Sequence, residues 1–191
     1  RSEDIFLNHL GVDCFVSDLW NDTIYESVLD GVNIVIHCAG DATFGNGLHY
    51  KKQNTELTNF LLKKIKKYNP NLQRFIYISS IGAVDRKWGD SCKEDLNEES
   101  ICYPSSDYGK SKLEAEQIVK QSNIPFSIVR PCMVVGKDMR FNSHFSVFIR
   151  SALANSLFSR VAAWPGSFSV IHVDDLVRAI LSLSLSAKAV G

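Results

Sequence analysis

This 191-residue sequence predicts an α/β fold with an open, doubly wound parallel sheet. Three observations carry the prediction. Strand-like and helix-like segments alternate along the chain, with no internal repeat. The segments Val32–His37 and Arg74–Ile78 are nearly continuous apolar runs, the pattern of strands buried on both faces of a parallel sheet. Each strand-like segment ends in small or polar residues, and in such sheets ligands lie at the carboxyl ends of the strands.

Taken in order, Arg1–Leu10 reads as the tail of a helix, turned by Gly11. Val12–Val16 follows as a short strand ending at Asp18 and Leu19. Asn21 or Asp22 caps a helix from Thr23 to Leu29, stopped by Gly31. Val32–His37 is the next strand, and it ends in Cys38, Ala39 and Gly40. A loop with Gly45 and Gly47 leads to a long helix, from about His49 to Tyr68, with Pro70 beyond its end. Its apolar positions are Leu57, Phe60, Leu61 and Ile65, which makes the basic run Lys63–Lys67 a solvated face. Arg74–Ile78 is a strand ending in Ser79 and Ser80. A polar, turn-rich stretch runs from Asp85 to Asp107, and a helix from Tyr108 to about Gln121. Phe126–Val129 is a strand closed by Arg130 and Pro131. An irregular piece begins at Gly136 and Lys137, before a helix over Ser143–Asn155. A last short strand lies within Ser167–Val173, and Asp174 or Asp175 caps a terminal helix.

The totals bound the function. The length suits one domain, or one with a small annex. The formal net charge is zero, so no surface for nucleic acid or an anionic membrane is expected. No apolar run is long enough to cross a membrane, and a cytoplasmic location is expected. Cys14, Cys38, Cys92, Cys102 and Cys132 have no metal-like spacing, and no metal is expected. An odd, scattered set suits free thiols in a reducing compartment. Cys38 and Cys132, at strand ends, read as packing residues.

The chemistry centres on Tyr108-Gly109-Lys110-Ser111-Lys112. Tyr108 and Lys112 are four apart and share one helix face. An ammonium beside a phenol favours the phenolate and lowers its pKa from about 10. Such a pair can exchange a proton with a substrate hydroxyl or carbonyl. The alternative is a surface helix carrying an incidental Tyr and Lys. Against that alternative, the helix follows directly on one of the polar strand ends.

These residues resemble the extended short-chain dehydrogenase/reductase family, also called the NAD-dependent epimerase/dehydratase family. Asp18-Leu19 resembles its Asp-Leu after the third strand, which meets the adenine amino group. His37-Cys38-Ala39-Gly40 resembles the strand end passing the cofactor ribose and pyrophosphate. Asn54 resembles the Asn of the family's fourth helix. Ile78-Ser79-Ser80 resembles the strand carrying the catalytic Ser or Thr. Tyr108 to Glu116 is similar to the family's Tyr-Gly-x-Ser-Lys-x-x-x-Glu helix. Arg130-Pro131 through Met133, Val134 and Gly136 resembles the loop beside the nicotinamide, and Ile171–Leu176 the family's His-Val-Asp-Asp segment.

The resemblance implies a Rossmann-like fold that binds NAD or NADP and transfers hydride at a hydroxyl-bearing carbon of a small-molecule substrate. It implies Tyr108 as acid/base, Lys112 lowering its pKa and holding ribose hydroxyls, and Ser80 on the substrate oxygen. Ser79 is the rival of Ser80, and either serine can instead cap a strand end. Asn54 can be a helix-face amide with a local partner, and Asp18 can cap the next turn. His172 reads as structural. Arg130 either pairs with a carboxylate or ends a strand. Cofactor contacts are expected from Asp18, Leu19, Cys38, Ala39, Gly40, Asn54, Ile78, Ser79, Tyr108, Lys112, Pro131, Met133 and Val134. Residues 1–136 would form a partial dinucleotide-binding domain. Residues 137–191 would form a partial substrate-binding segment, interleaved with the last strand and helix. Homodimerisation through the Tyr108 helix and the helix at 49–68 is a further expectation.

Two features depart from the family. Its opening Gly-x-x-Gly-x-x-Gly turn is absent from this sequence. The expectation is that an N-terminal segment of two βα units, on the order of 60 residues, precedes Arg1 in the natural protein. Met133 stands where nucleotide-sugar epimerases and dehydratases carry Asn, and the Pro131–Gly136 loop looks more like that of 3β-hydroxysteroid dehydrogenases and dihydroflavonol reductases. An alcohol or ketone oxidoreductase is therefore favoured. The alternatives are a nucleotide-sugar epimerase or dehydratase, and a non-catalytic dinucleotide-binding sensor or structural protein.

Overall fold

A computed structural model describes residues 10–42, 46–86, 95–137, 139 and 169–186. The expected helix tail before Leu10 and the helix over 143–155 lie outside them.

Asn21 starts the first helical segment as expected, its side-chain oxygen accepting from the Thr23 amide. A short 3-10 turn, Asp22–Ile24, runs into α1, Tyr25–Leu29. Gly31, at φ +66°, then turns the chain into β1, Ile34–His37. The next helical stretch has three parts. They are α2, Gly47–Tyr50, a π-helical segment Lys51–Glu56, and α3, Leu57–Tyr68. β2 is Arg74–Ile78. A 3-10 turn at Ile81–Ala83 follows, and then α4, Asp107–Lys120. β3 is Phe126–Val129, β4 Met133–Val135 and β5 Val170–His172, and α5 is Val173–Leu185.

β1, β2 and β3 pair in that order, all parallel, with Ile36 opposite Ile76 and Ile76 opposite Ser127. β4 and β5 form a second parallel pair. Alternation along β2 sends Phe75 and Tyr77 to one face, where they join Leu62 and Ile65 of α3 and Ala115 and Val119 of α4 in the core. The opposite face carries Arg74, whose guanidinium donates to the Leu183 carbonyl of α5. Helices thus cover both faces of the central strand, and it is buried from Arg74 through Tyr77.

Two expectations are corrected. Val12–Val16 is not a strand. A strand needs a neighbour to satisfy its backbone, and none of the described strands pairs with these residues, which stay solvated with Val16 86% exposed. The cap of α5 is His172, whose side chain accepts from the Asp174 amide, so Asp174 and Asp175 sit in the first turn. β4 is an addition. Residues 133–135 become a strand because β5, far along the chain, lies beside them.

Candidate active site

The carboxyl end of β2 meets the amino end of α4. Ser106 begins that helix, its hydroxyl accepting from the Gly109 amide at 3.0 Å. Gly109 is required there, because a Cβ at this position would overlap the Gly82 carbonyl oxygen. This close approach brings Tyr108 onto the turn that starts at Ser80.

Ser80 caps that turn, accepting from the Gly82 amide at 3.2 Å, and its hydroxyl and the Tyr108 ring flank Gly82 together. Burial pushes the Tyr108 pKa up, the Ser80 hydroxyl draws it down, and the Tyr50 and Asp41 side chains push it up again. The Tyr50 ring lies edge-on to Tyr108 at 5.7 Å. Asp41 itself pairs with His49.

Lys112 is buried. Its ammonium donates to the Ile78 carbonyl at 2.9 Å and sits 4.9 Å over the Tyr77 ring. Burial lowers its pKa to about 8, while Cys38 and Glu116 act in the opposite direction. The expected lowering of the phenol by Lys112 is not what this geometry gives. The ammonium is engaged by a backbone carbonyl, and desolvation dominates at the phenol.

Ser79 faces elsewhere. Its hydroxyl donates to Glu116 Oε1 at 2.6 Å, inside a buried ion pair. Arg130 completes the pair, Nε reaching Oε1 at 2.9 Å and Nη2 reaching Oε2 at 2.6 Å. Of the two open readings of Arg130, the carboxylate partner is the observed one.

Gly40 adopts φ +152°, and a Cβ there would lie 2.5 Å from Asn54 Oδ1 and 3.7 Å from Lys112 Nζ. Asn54 accepts from the Asp41 amide at 2.8 Å and donates to the Asp41 carbonyl and to Ser111 Oγ, both at 3.0 Å. It therefore clamps the β1 end against α4. Leu19, Cys38 and Ala39 line an apolar cleft of about 350 Å³ beside β1, with Phe15 and Ile36. Asp18 accepts from the Trp20 amide at 3.0 Å, the turn-capping alternative. Pro131 accepts from the Ile81 amide, which ties the β3 end to the same turn. Met133 and Val134 lie in β4, in the second sheet.

Ile78, Ser80, Tyr108 and Lys112 are thus brought together, with Cys38, Gly40 and Asn54 around Lys112. Asp18, Met133 and Val134 have no contact with that cluster among those described. Tyr50, Asp41 and His49 beside the phenol carried no sequence signal, because helix geometry alone does not say which loop faces Tyr108. Glu116 had one, four residues after Lys112. Among the described residues no group of His, Cys, Asp and Glu could hold a metal, and no helix is long and apolar enough to cross a membrane.

The sequence pattern of the NAD dependent epimerase/dehydratase family matches residues 7–190. A dTDP-D-glucose 4,6-dehydratase of Dictyostelium discoideum is 25% identical over 91% of this chain and 43% of its own length. A UDP-glucose 4-epimerase of Vibrio cholerae is 31% identical over 66% of this chain and 40% of its own. The chain thus spans less than half the length of these curated relatives. Among solved structures, a UDP-glucuronic acid 4-epimerase from Bacillus cereus, in complex with UDP-glucuronic acid and NAD, superposes with a TM-score of 0.76 at 22% identity. That match covers 98% of this chain and 62% of the other, and at that identity the likeness shows the fold.

Proposed function

The chain belongs to the NAD dependent epimerase/dehydratase family, and on that premise we propose that it is part of an enzyme that transfers hydride between NAD and a hydroxyl-bearing carbon of its substrate. The observation that carries this reading is the convergence of the Ser80 hydroxyl and the Tyr108 ring on Gly82, with Lys112 one turn along the same helix.

The residues present fit part of a dinucleotide. Gly40 provides a close backbone turn beside Lys112 Nζ, where a side chain would collide with Asn54. The apolar cleft beside Leu19, Cys38 and Ala39 suits a flat base. The pyrophosphate is assigned to no residue of this chain, since the sequence has no glycine-rich turn of the usual kind.

When bound, the nicotinamide supplies the hydride acceptor or donor. Ser80 orients the substrate oxygen. Tyr108 Oη takes the proton from that oxygen as hydride leaves the carbon, and returns it in the reverse direction. Burial opposes ionisation of the phenol, so a cation is needed there, and Lys112 would supply it by turning from the Ile78 carbonyl toward Tyr108.

The two curated relatives support a nucleotide sugar as substrate. A second reading, an alcohol or ketone substrate, rests on Met133 in place of Asn. NADP use, a cytoplasmic location, a homodimer through α3 and α4, and the division at residue 136 belong to the same proposal.

The test uses the full-length protein. Turnover is measured with NAD and NADP against nucleotide sugars and secondary alcohols. Tyr108→Phe is expected to lower kcat by at least about 10²-fold while cofactor binding persists. Wild-type turnover in that variant removes Tyr108 from its role. Cofactor binding without exchange on any substrate favours the sensor reading.

A further inference from the structure

Glu116 is wholly buried on α4, one turn beyond Lys112. Three donors converge on its carboxylate, one from Ser79 at the end of β2 and two from Arg130 at the end of β3. The Arg130 contacts are forked, the geometry that fixes a carboxylate in direction as well as distance. The same two strand ends are bound to each other, the Ser79 amide donating to the Val129 carbonyl at 2.7 Å and the Ile81 amide to the Pro131 carbonyl at 2.9 Å. Ser80 lies between these two anchored amides.

We propose that Glu116, Arg130 and Ser79 form the positioning device of the candidate active site, locking the strand end that presents Ser80 to the helix that presents Tyr108 and Lys112. The proposal rests on the catalytic reading of Ser80, Tyr108 and Lys112, and it assigns the second serine of the pair its own task.

Stability alone is a poor reason for this arrangement. Replacing a buried ion pair by packed apolar side chains is commonly neutral or stabilising. Orientation is what such a replacement loses. A fork fixes the helix along its axis and in rotation, whereas apolar packing tolerates small slips, and misplacement by about 1 Å can cost on the order of 10²-fold in rate. The device also carries charge. Cys38, the Tyr77 ring, His37 and Glu116 are the groups around Lys112, and Glu116 favours its ammonium.

Three variants of the full-length protein test this. In Glu116→Met/Arg130→Met, kcat should fall by at least about tenfold, with KM for cofactor and substrate changed less than about threefold. Its thermal midpoint should stay within about 5 °C of wild type. In Glu116→Gln, the Lys112 titration, followed by NMR of ¹³Cε-labelled lysine without cofactor, should move about one unit lower. Tyr108→Phe reports separately on the site reading. A silent Tyr108→Phe beside a folded double variant with wild-type kcat overturns the positioning role alone. Should the double variant fail to fold, a wild-type kcat in a folded Glu116→Gln, which breaks the fork to Arg130, overturns it. An active Tyr108→Phe overturns the site reading, and this proposal with it.

Discussion

Ser79 and Ser80 are adjacent in sequence and serve different partners. Extended backbone sends successive side chains to opposite sides. Ser79 therefore turns into the Glu116–Arg130 pair, and Ser80 toward Tyr108. Their alanine variants should part accordingly. Ser79→Ala removes a hydrogen bond to a buried charged group, and urea unfolding should show a loss of about 2 kcal/mol, with kcat reduced by no more than about tenfold. Ser80→Ala removes a turn cap, worth about 1 kcal/mol, but should lower kcat by on the order of 10²-fold. Equal effects on both quantities would mean that the two hydroxyls are not specialised. Which serine carried the role was open in the sequence, since two neighbouring serines have the same chemistry and only their partners distinguish them.

At the scale of elements, α4 is placed by backbone contact. Gly109 lies so close to Gly82 that a methyl group has no room. Helix propensity alone favours Ala over Gly by about 1 kcal/mol. Overpacking against a rigid backbone commonly costs about 1–3 kcal/mol, and here it also shifts the residue after Tyr108. Gly109→Ala should therefore destabilise the fold and reduce turnover together, as read by urea titration and kcat. A stabilised variant with full activity would mean that α4 sits farther from the turn. Strand limits were legible to the residue for β2 and β3, whose apolar runs end abruptly at serine or arginine. The π-helical segment was not legible. Its register depends on Asn54 reaching Asp41 and Ser111, contacts 13 and 57 residues away.

For the whole molecule, the most informative titration is that of His37. It is buried against Phe75 and Tyr77, its Nε2 lies 3.0 Å from Thr58 Oγ1, and burial together with Lys112 lowers its pKa from 6.5 to about 4. Thr58 donates its own proton to the Asn54 carbonyl, so the neutral ring is the donor in that contact. The folded state then binds fewer protons than the unfolded state between about pH 4 and 6.5. Stability should rise with pH across that window and fall as pH drops through it, by on the order of 3 kcal/mol in full. His37→Gln keeps a donor for Thr58 and does not titrate, so its unfolding free energy should vary less between about pH 4 and 6.5. A wild-type curve parallel to that of the variant would show that His37 is hydrated and titrates normally.

The sequence by itself determined the alternation of β1, β2 and β3 with helices, the limits of β2 and β3, the start of α4 near Tyr108, and the family. Each follows from local pattern: runs of apolar residues, caps, turn residues, and motifs whose spacing is set by the helix repeat. Only the tertiary structure decided that Val12–Val16 is no strand, that residues 133–135 are one, that Lys112 holds the Ile78 carbonyl, and that Glu116 gathers Ser79 and Arg130. The physical reason is common to all four. A backbone ladder and a buried charge are satisfied only by partners brought close in space, and the identity of those partners is a property of the packed chain.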